Sequence, residues 1–102
     1  MSAASTFAAL GDATRLHVVS RLAREGPLSI TSLSERVDIT RQAVTKHLEV
    51  LAAAGVVRSE WKGRERVWEL KTRQIEDARR TLDAISARWD RALERLRAMV
   101  EE

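Results

Sequence analysis

The sequence predicts a small α+β domain that is mostly α. Three observations carry this expectation. Apolar residues recur at helical spacings of three and four along most of the chain. One stretch, Val56 to Leu70, changes to a β-branched and aromatic composition interrupted by Gly63. The segment from Thr72 to Val100 contains neither glycine nor proline and keeps the helical pattern unbroken. At 102 residues and 44% hydrophobic composition, the chain is sized for a single domain, residues 1–102, with a packed core. A core this small is marginal, so burial gained by self-association would matter.

Each element follows from local signals. Residues 1–10 are expected to form a short helix or N-terminal arm with Phe7 and Leu10 on one side. Asp12 is a good N-cap for a helix reaching Glu25, with apolar positions Leu16, Val19, Leu22 and Ala23, and Gly26-Pro27 stops it. Leu28-Ser29-Ile30 is too short for a free strand but can pair with one. Thr31 can cap a short helix through Leu33 and Val37, Asp38-Ile39 makes a turn, and Thr40 caps a second helix from Arg41 to about Ala54. Residues 31–54 thus read as helix, turn, helix. Gly55 stands where a left-handed C-terminal residue is wanted. Residues 56–70 read as a β-hairpin around Gly63-Arg64-Glu65, and residues 72–100 as one long helix.

Composition excludes several functions. There is no cysteine, hence no disulfide and no thiolate metal site. The two histidines, His17 and His47, cannot build a multi-histidine centre within one chain, and His17 is expected at the surface. No apolar run approaches the roughly 20 residues of a membrane span. The start MSAASTF lacks a basic residue followed by an apolar stretch. A cytoplasmic protein without membrane contact is the expectation. No nucleophile–base–orienter set and no glycine-rich phosphate loop is present, so neither an enzyme nor a cofactor is expected.

The net charge is +3, and two of the three excess positive charges fall between residues 41 and 70. With Val44, Leu48 and Leu51 inward, the second helix turns Gln42, Thr45, Lys46 and Glu49 outward, with Arg41 at its exposed start. Arg and Gln can each make two hydrogen bonds to a base edge, and Thr offers a hydroxyl and a methyl. Such a helix places its N-terminal residues on bases, and its free N–H groups favour phosphate. Lys62, Arg64 and Arg66 cluster at the hairpin tip, with Arg58 on the first strand and Glu60 and Glu65 diluting the patch. A basic tip beside a reading helix suggests a wing lying on backbone or minor groove. Trp61 and Trp68, on the hairpin strands, are expected to pack the wing onto the body.

Leu33 to Val57, reading LSERVDITRQAVTKHLEVLAAAGVV, resembles the winged helix-turn-helix of the ArsR family of bacterial repressors. LGDATRLHVVSRL, from Leu10 to Leu22, resembles that family's N-terminal signature, with Ala13 where proline is common. GRERVWEL, from Gly63 to Leu70, resembles its wing. The resemblance implies a dimeric DNA-binding regulator of transcription. By position it assigns Thr40, Arg41, Gln42, Thr45, Lys46 and His47 to DNA contact, and the wing, with Lys62, Arg64 and Arg66, to the DNA backbone. Founding members sense metals through cysteines on the first helix of the motif, or through Asp/His/Glu sets on the last helix. Here Leu33 to Asp38 has no cysteine and the last helix has no histidine. The chain resembles a member without the metal sites, and its carboxylates form a solvated helix face.

The last helix carries Ile75, Ala78, Leu82, Ile85, Trp89, Ala92, Leu96 and Met99 in steps of three and four, with Leu93 and Val100 widening the stripe. A helix of about 28 residues is roughly 40 Å long, more than the rest of the domain can cover. Phe7, Leu10, Leu82, Ile85, Trp89, Leu93 and Leu96 are therefore the expected homodimer interface. The expected function is that of a homodimeric repressor on a palindromic operator in double-stranded DNA. The alternative is a winged helix used as a protein-interaction module. The effector, if there is one, is not written in the sequence.

Overall fold

The computed structural model describes residues 2–35 and 37–101. Met1, Arg36 and Glu102, which fall in the predicted arm, in the short helix predicted through Leu33 and Val37 and at the domain end, lie outside the described residues. The order is α1 (Ala3–Leu10), α2 (Ala13–Glu25), β1 (Leu28–Ser29), α3 (Ile30–Ser34), α4 (Arg41–Ala53), β2 (Val57–Lys62), β3 (Glu65–Leu70) and α5 (Thr72–Glu101). The three strands form an antiparallel sheet in the order β1-β3-β2. This is the mostly helical α+β winged helix with a long C-terminal helix.

Caps set the boundaries. Asp12 Oδ2 accepts the Arg15 N–H at 3.0 Å, and Thr40 Oγ1 accepts the Ala43 N–H at 3.1 Å. Helix α4 ends in a Schellman motif. Gly55 has φ +77°, its N–H reaches the Ala52 carbonyl at 3.0 Å, and the Val56 N–H reaches the Leu51 carbonyl at 2.9 Å. Leu51 and Val56 are both fully buried, which supplies the apolar contact of that motif. The hairpin turn is the pair Gly63-Arg64, one residue shorter than the expected loop, because Glu65 pairs with Lys62. A positive φ of 63° at Gly63 alone fits a II′ turn, whose twist suits a two-residue hairpin.

The core joins Val18, Val19, Leu22, Leu33, Val44, Leu48, Leu51, Val56, Val57 and Trp68. Three sequence expectations change here. On α2, Val19 and Leu22 are buried as expected, but Leu16 and Ala23 face solvent and Val18 and Arg21 are buried in their place. The cap of α3 is Ser29, whose Oγ accepts the Ser32 N–H at 3.2 Å, and the helix stops at Ser34, short of Val37. Pairing of Leu28-Ser29 with Trp68 and Val67 holds Ser29 extended, and an N-cap requires that conformation. Trp61 does not pack the wing to the body. It is 69% exposed, whereas Trp68 is 1% exposed.

Arg21 is the one charged side chain among the described residues that is buried, at 5% exposure. Its Nε donates to Glu25 Oε2 at 2.9 Å and its Nη1 donates to the Ser32 carbonyl at 3.1 Å, tying α2 to α3. No helix among the described residues is long and apolar enough to cross a membrane.

Candidate nucleic-acid interface

Helix α4 sorts its side chains as its periodicity requires. Val44, Leu48 and Leu51 are at 0% exposure, while Arg41, Gln42 and Lys46 are exposed and Thr45 is half-buried. Arg41, Gln42, Thr45, Lys46 and Glu49 line an open depression with Ile30 from the start of α3. Two of these side chains are already oriented. The Arg41 guanidinium donates to Thr31 Oγ1, and the Thr45 hydroxyl donates to the Arg41 carbonyl at 2.9 Å. With its proton committed to that carbonyl, the Thr45 hydroxyl is left as an acceptor. Thr40 spends its side-chain oxygen on the cap, so it stands at the N–H-rich end of α4 as a structural group.

His47 is not in that depression. It is half-buried, with Nδ1 3.3 Å from Arg15 Nη1 and 3.8 Å from Asp12 Oδ2. Arg15 also donates through Nε to the Ala9 carbonyl at 2.6 Å, so one guanidinium links the end of α1 to α4. The Arg15 backbone N–H holds the Asp12 carboxyl below its ordinary value of 3.8. Burial opposes this shift, and the charges of Arg15 and His47 reinforce it.

On the wing, Arg58 pairs with Glu69 and Lys62 Nζ lies 3.7 Å from Glu60. Arg66 turns back toward the body. Its Nε donates to Ser59 Oγ at 2.9 Å, and its guanidinium carbon sits 4.5 Å from the Trp68 ring centroid. Arg64 lies exposed in the turn. The structure thus groups Arg41, Gln42, Thr45 and Lys46, leaves Lys62 and Arg64 outward on the wing, and engages His47 and Arg66 internally. The reading of the sequence missed Thr31, Arg15 and Arg21. Arg15 falls inside the N-terminal signature, the only signal that marked it, and nothing in the sequence marked Thr31 as the partner of Arg41.

A capped helix with a sorted polar face, a turn from a shorter helix and a following antiparallel wing define a winged helix-turn-helix DNA-binding protein. A family model described as a helix-turn-helix domain matches residues 10–60. The HTH-type transcriptional regulator Rv2034 of Mycobacterium tuberculosis is 39% identical over 83% of this chain and 76% of its own length. An ArsR-like transcriptional regulator from Rhodococcus sp. RHA1 superposes with a TM-score of 0.79 at 39% identity, covering 95% of this chain and 91% of that one. The arsenical resistance operon repressor of Bacillus subtilis is 28% identical over 68% of this chain and 66% of its own length. The chain belongs to the ArsR-like winged helix-turn-helix transcriptional regulators. It is a DNA-binding regulator of transcription.

Proposed function

We propose that the protein acts as a homodimeric repressor on a roughly palindromic operator. One observation carries this reading: most of the large apolar side chains that the body leaves exposed form a stripe along α5, apart from the polar face that α4 presents. Leu82, Ile85, Trp89, Leu93, Leu96 and Met99 are each between 43% and 73% exposed. A second copy of α5 would cover them. Two copies also supply two α4 helices, which half-sites one helical turn apart require. On each half-site, Arg41, Gln42, Thr45 and Lys46 meet base edges, and the N-terminal amides beside Thr40 meet a phosphate. Lys62 and Arg64 meet the backbone, while His47 and Arg66 hold α4 and the wing in place. Repression by occupying an operator is the simplest outcome for a protein whose surfaces serve DNA and self-association, and it accords with the likeness to an arsenical resistance operon repressor.

Recovery of bound fragments genome-wide, followed by duplex binding across a salt series, tests the reading. A repressor enriches inverted repeats beside promoters and loses affinity steeply with salt, by roughly 0.9 in log–log slope for each phosphate neutralised. Negligible duplex binding at low salt would favour the protein-interaction alternative.

A further inference from the structure

Along β2 the alternation of a strand puts Val57, Ser59 and Trp61 on one face. Val57 is buried and Ser59 half-buried, so this face is the one turned toward the helices. The strand has passed the edge of the body by Trp61, whose indole is left 69% exposed. Its cross-strand partner is Arg66, the cation best placed to cover it, yet that guanidinium is folded over Trp68 and bound to Ser59. A large apolar ring therefore projects from the helix-facing side of the wing, one residue before Lys62 and three before Arg64.

The charges of the wing make this exposure informative. Residues 57–70 carry four basic and three acidic groups, a net charge of only +1. Arg58 is paired with Glu69, Lys62 approaches Glu60 and Arg66 is turned inward. Electrostatics alone gives such a wing little hold on a polyanion. An indole adds what the charges lack: a flat apolar face that can lie on deoxyribose, and an N–H that can donate to a phosphate oxygen.

We propose that Trp61 is a DNA-contacting residue, packing its indole against the sugar–phosphate strand that passes between α4 and the wing, while Arg64 reaches the neighbouring phosphates. The occupant is duplex DNA, and the inference rests on the DNA-binding role of the wing. Because Trp61 is uncharged, its contribution is insensitive to salt, unlike that of Arg64. Because it touches backbone, its contribution does not depend on base sequence.

The test uses the full chain and a fluorescently labelled duplex of mixed sequence, with anisotropy read over a salt series. Trp61→Ala should weaken binding about tenfold, from the loss of roughly 60 Å² of apolar burial, and leave the salt slope unchanged. Trp61→Phe keeps an aromatic face without the N–H and should fall between the two. The tryptophan emission of the unmodified protein should shift to the blue or be quenched on adding duplex, and that change should vanish in Trp61→Phe. An unmodified protein that binds duplex, with a folded Trp61→Ala variant binding equally well, overturns the proposal and leaves the DNA-binding reading intact. A Trp61→Ala variant whose mass in light scattering falls assigns Trp61 to self-association, and this also overturns it. If the unmodified protein fails to bind duplex at low salt, the wing reading and the inference fall together.

Discussion

Asp12 caps α2 and faces α4 with the same carboxylate. Its Oδ2 accepts the Arg15 N–H at 3.0 Å and lies 3.8 Å from His47 Nδ1. The N–H bond is the main reason its carboxyl titrates below the ordinary value of 3.8. A group whose value is lower in the folded chain stabilises the fold above the ordinary carboxylate range, and that contribution disappears as pH falls through the lowered value. Asp12→Asn retains a capping oxygen without the charge. The melting-temperature gap between the two proteins should therefore close as pH falls below about 4. A gap that persists unchanged in acid would show that the charge is not its source. Arg21 makes a different case, because its guanidinium is buried and bonded at both ends. Arg21→Leu leaves the Ser32 carbonyl without its charged donor and cuts the tie between α2 and α3. The expected cost is about 1–3 kcal/mol. For a domain of this size that lowers the melting temperature by about 4–8 °C per kcal/mol, measurable by circular dichroism. An unchanged melting temperature would mean that Arg21 merely fills space.

At the scale of elements, the proposed function divides the contact with DNA between α4 and the wing. Gln42 is exposed near the start of α4 in the depression shared with Arg41, Thr45 and Lys46, and Arg64 is at the hairpin turn. Base-edge contacts discriminate sequence, whereas phosphate contacts set register. Gln42→Ala should cost about 1–3 kcal/mol on the operator and little on scrambled duplex. Arg64→Ala should weaken both and reduce the salt slope by about one unit. Titrations of both variants on the two duplexes decide this, and the opposite pattern would reverse the assignment. The elements themselves were legible in the sequence where a cap and a period coincide, as at Asp12, Thr40 and Gly55. The inward face of α4 was legible because Val44, Leu48 and Leu51 permit only one solution. Legibility ended where a distant partner decides. Ser29, Thr31 and Ser32 all offer hydroxyls, and only the pairing of β1 with β3 selects Ser29 as the cap. Leu16 fits a helical stripe with Val19 and Leu22 by spacing, but the neighbours of α2 cover Val18 and Arg21 and leave Leu16 in solvent. Trp61 and Trp68 look alike in sequence, and how far the hairpin overhangs the body separates their fates. His47 and Arg66 read as DNA ligands by position, yet Arg15 and Trp68, remote in sequence or fixed by register, engage them first.

The whole molecule is elongated, measuring 68 × 26 × 21 Å, with a radius of gyration of 18.2 Å. A compact chain of about 100 residues has a radius of gyration near 13 Å. The excess is α5, whose 30 residues extend roughly 45 Å. Its first turns join the body: Ala78 is buried and Ile75 packs against the core, and α1 lies alongside. Leu10 is also packed on that core, so α1 offers Phe7 and Leu10 to the proposed interface only partly exposed. Beyond Ala78 the helix supports itself through ion pairs such as Arg80–Asp77 at 2.9 Å and Arg97–Glu94 at 3.0 Å, while its apolar stripe stays in solvent. Such pairs contribute only tenths of a kcal/mol each, so they do not explain a helix of this length held away from its core. The proposed partner helix would, since burying each Leu or Trp of the stripe contributes roughly 1.5–3 kcal/mol. This gives a sharp test with Trp89→Ala combined with Leu96→Ala. In a monomer both side chains are already wet, and alanine is the better helix former, so the double variant should be as stable as the parent or more so. In a dimer it removes two buried anchors. Light scattering should then move from dimer toward monomer mass at micromolar concentration. The melting temperature should fall and become more dependent on protein concentration. A monomer mass for the unmodified protein, or a double variant that melts at or above the parent, would remove the dimer and, with it, the palindromic operator.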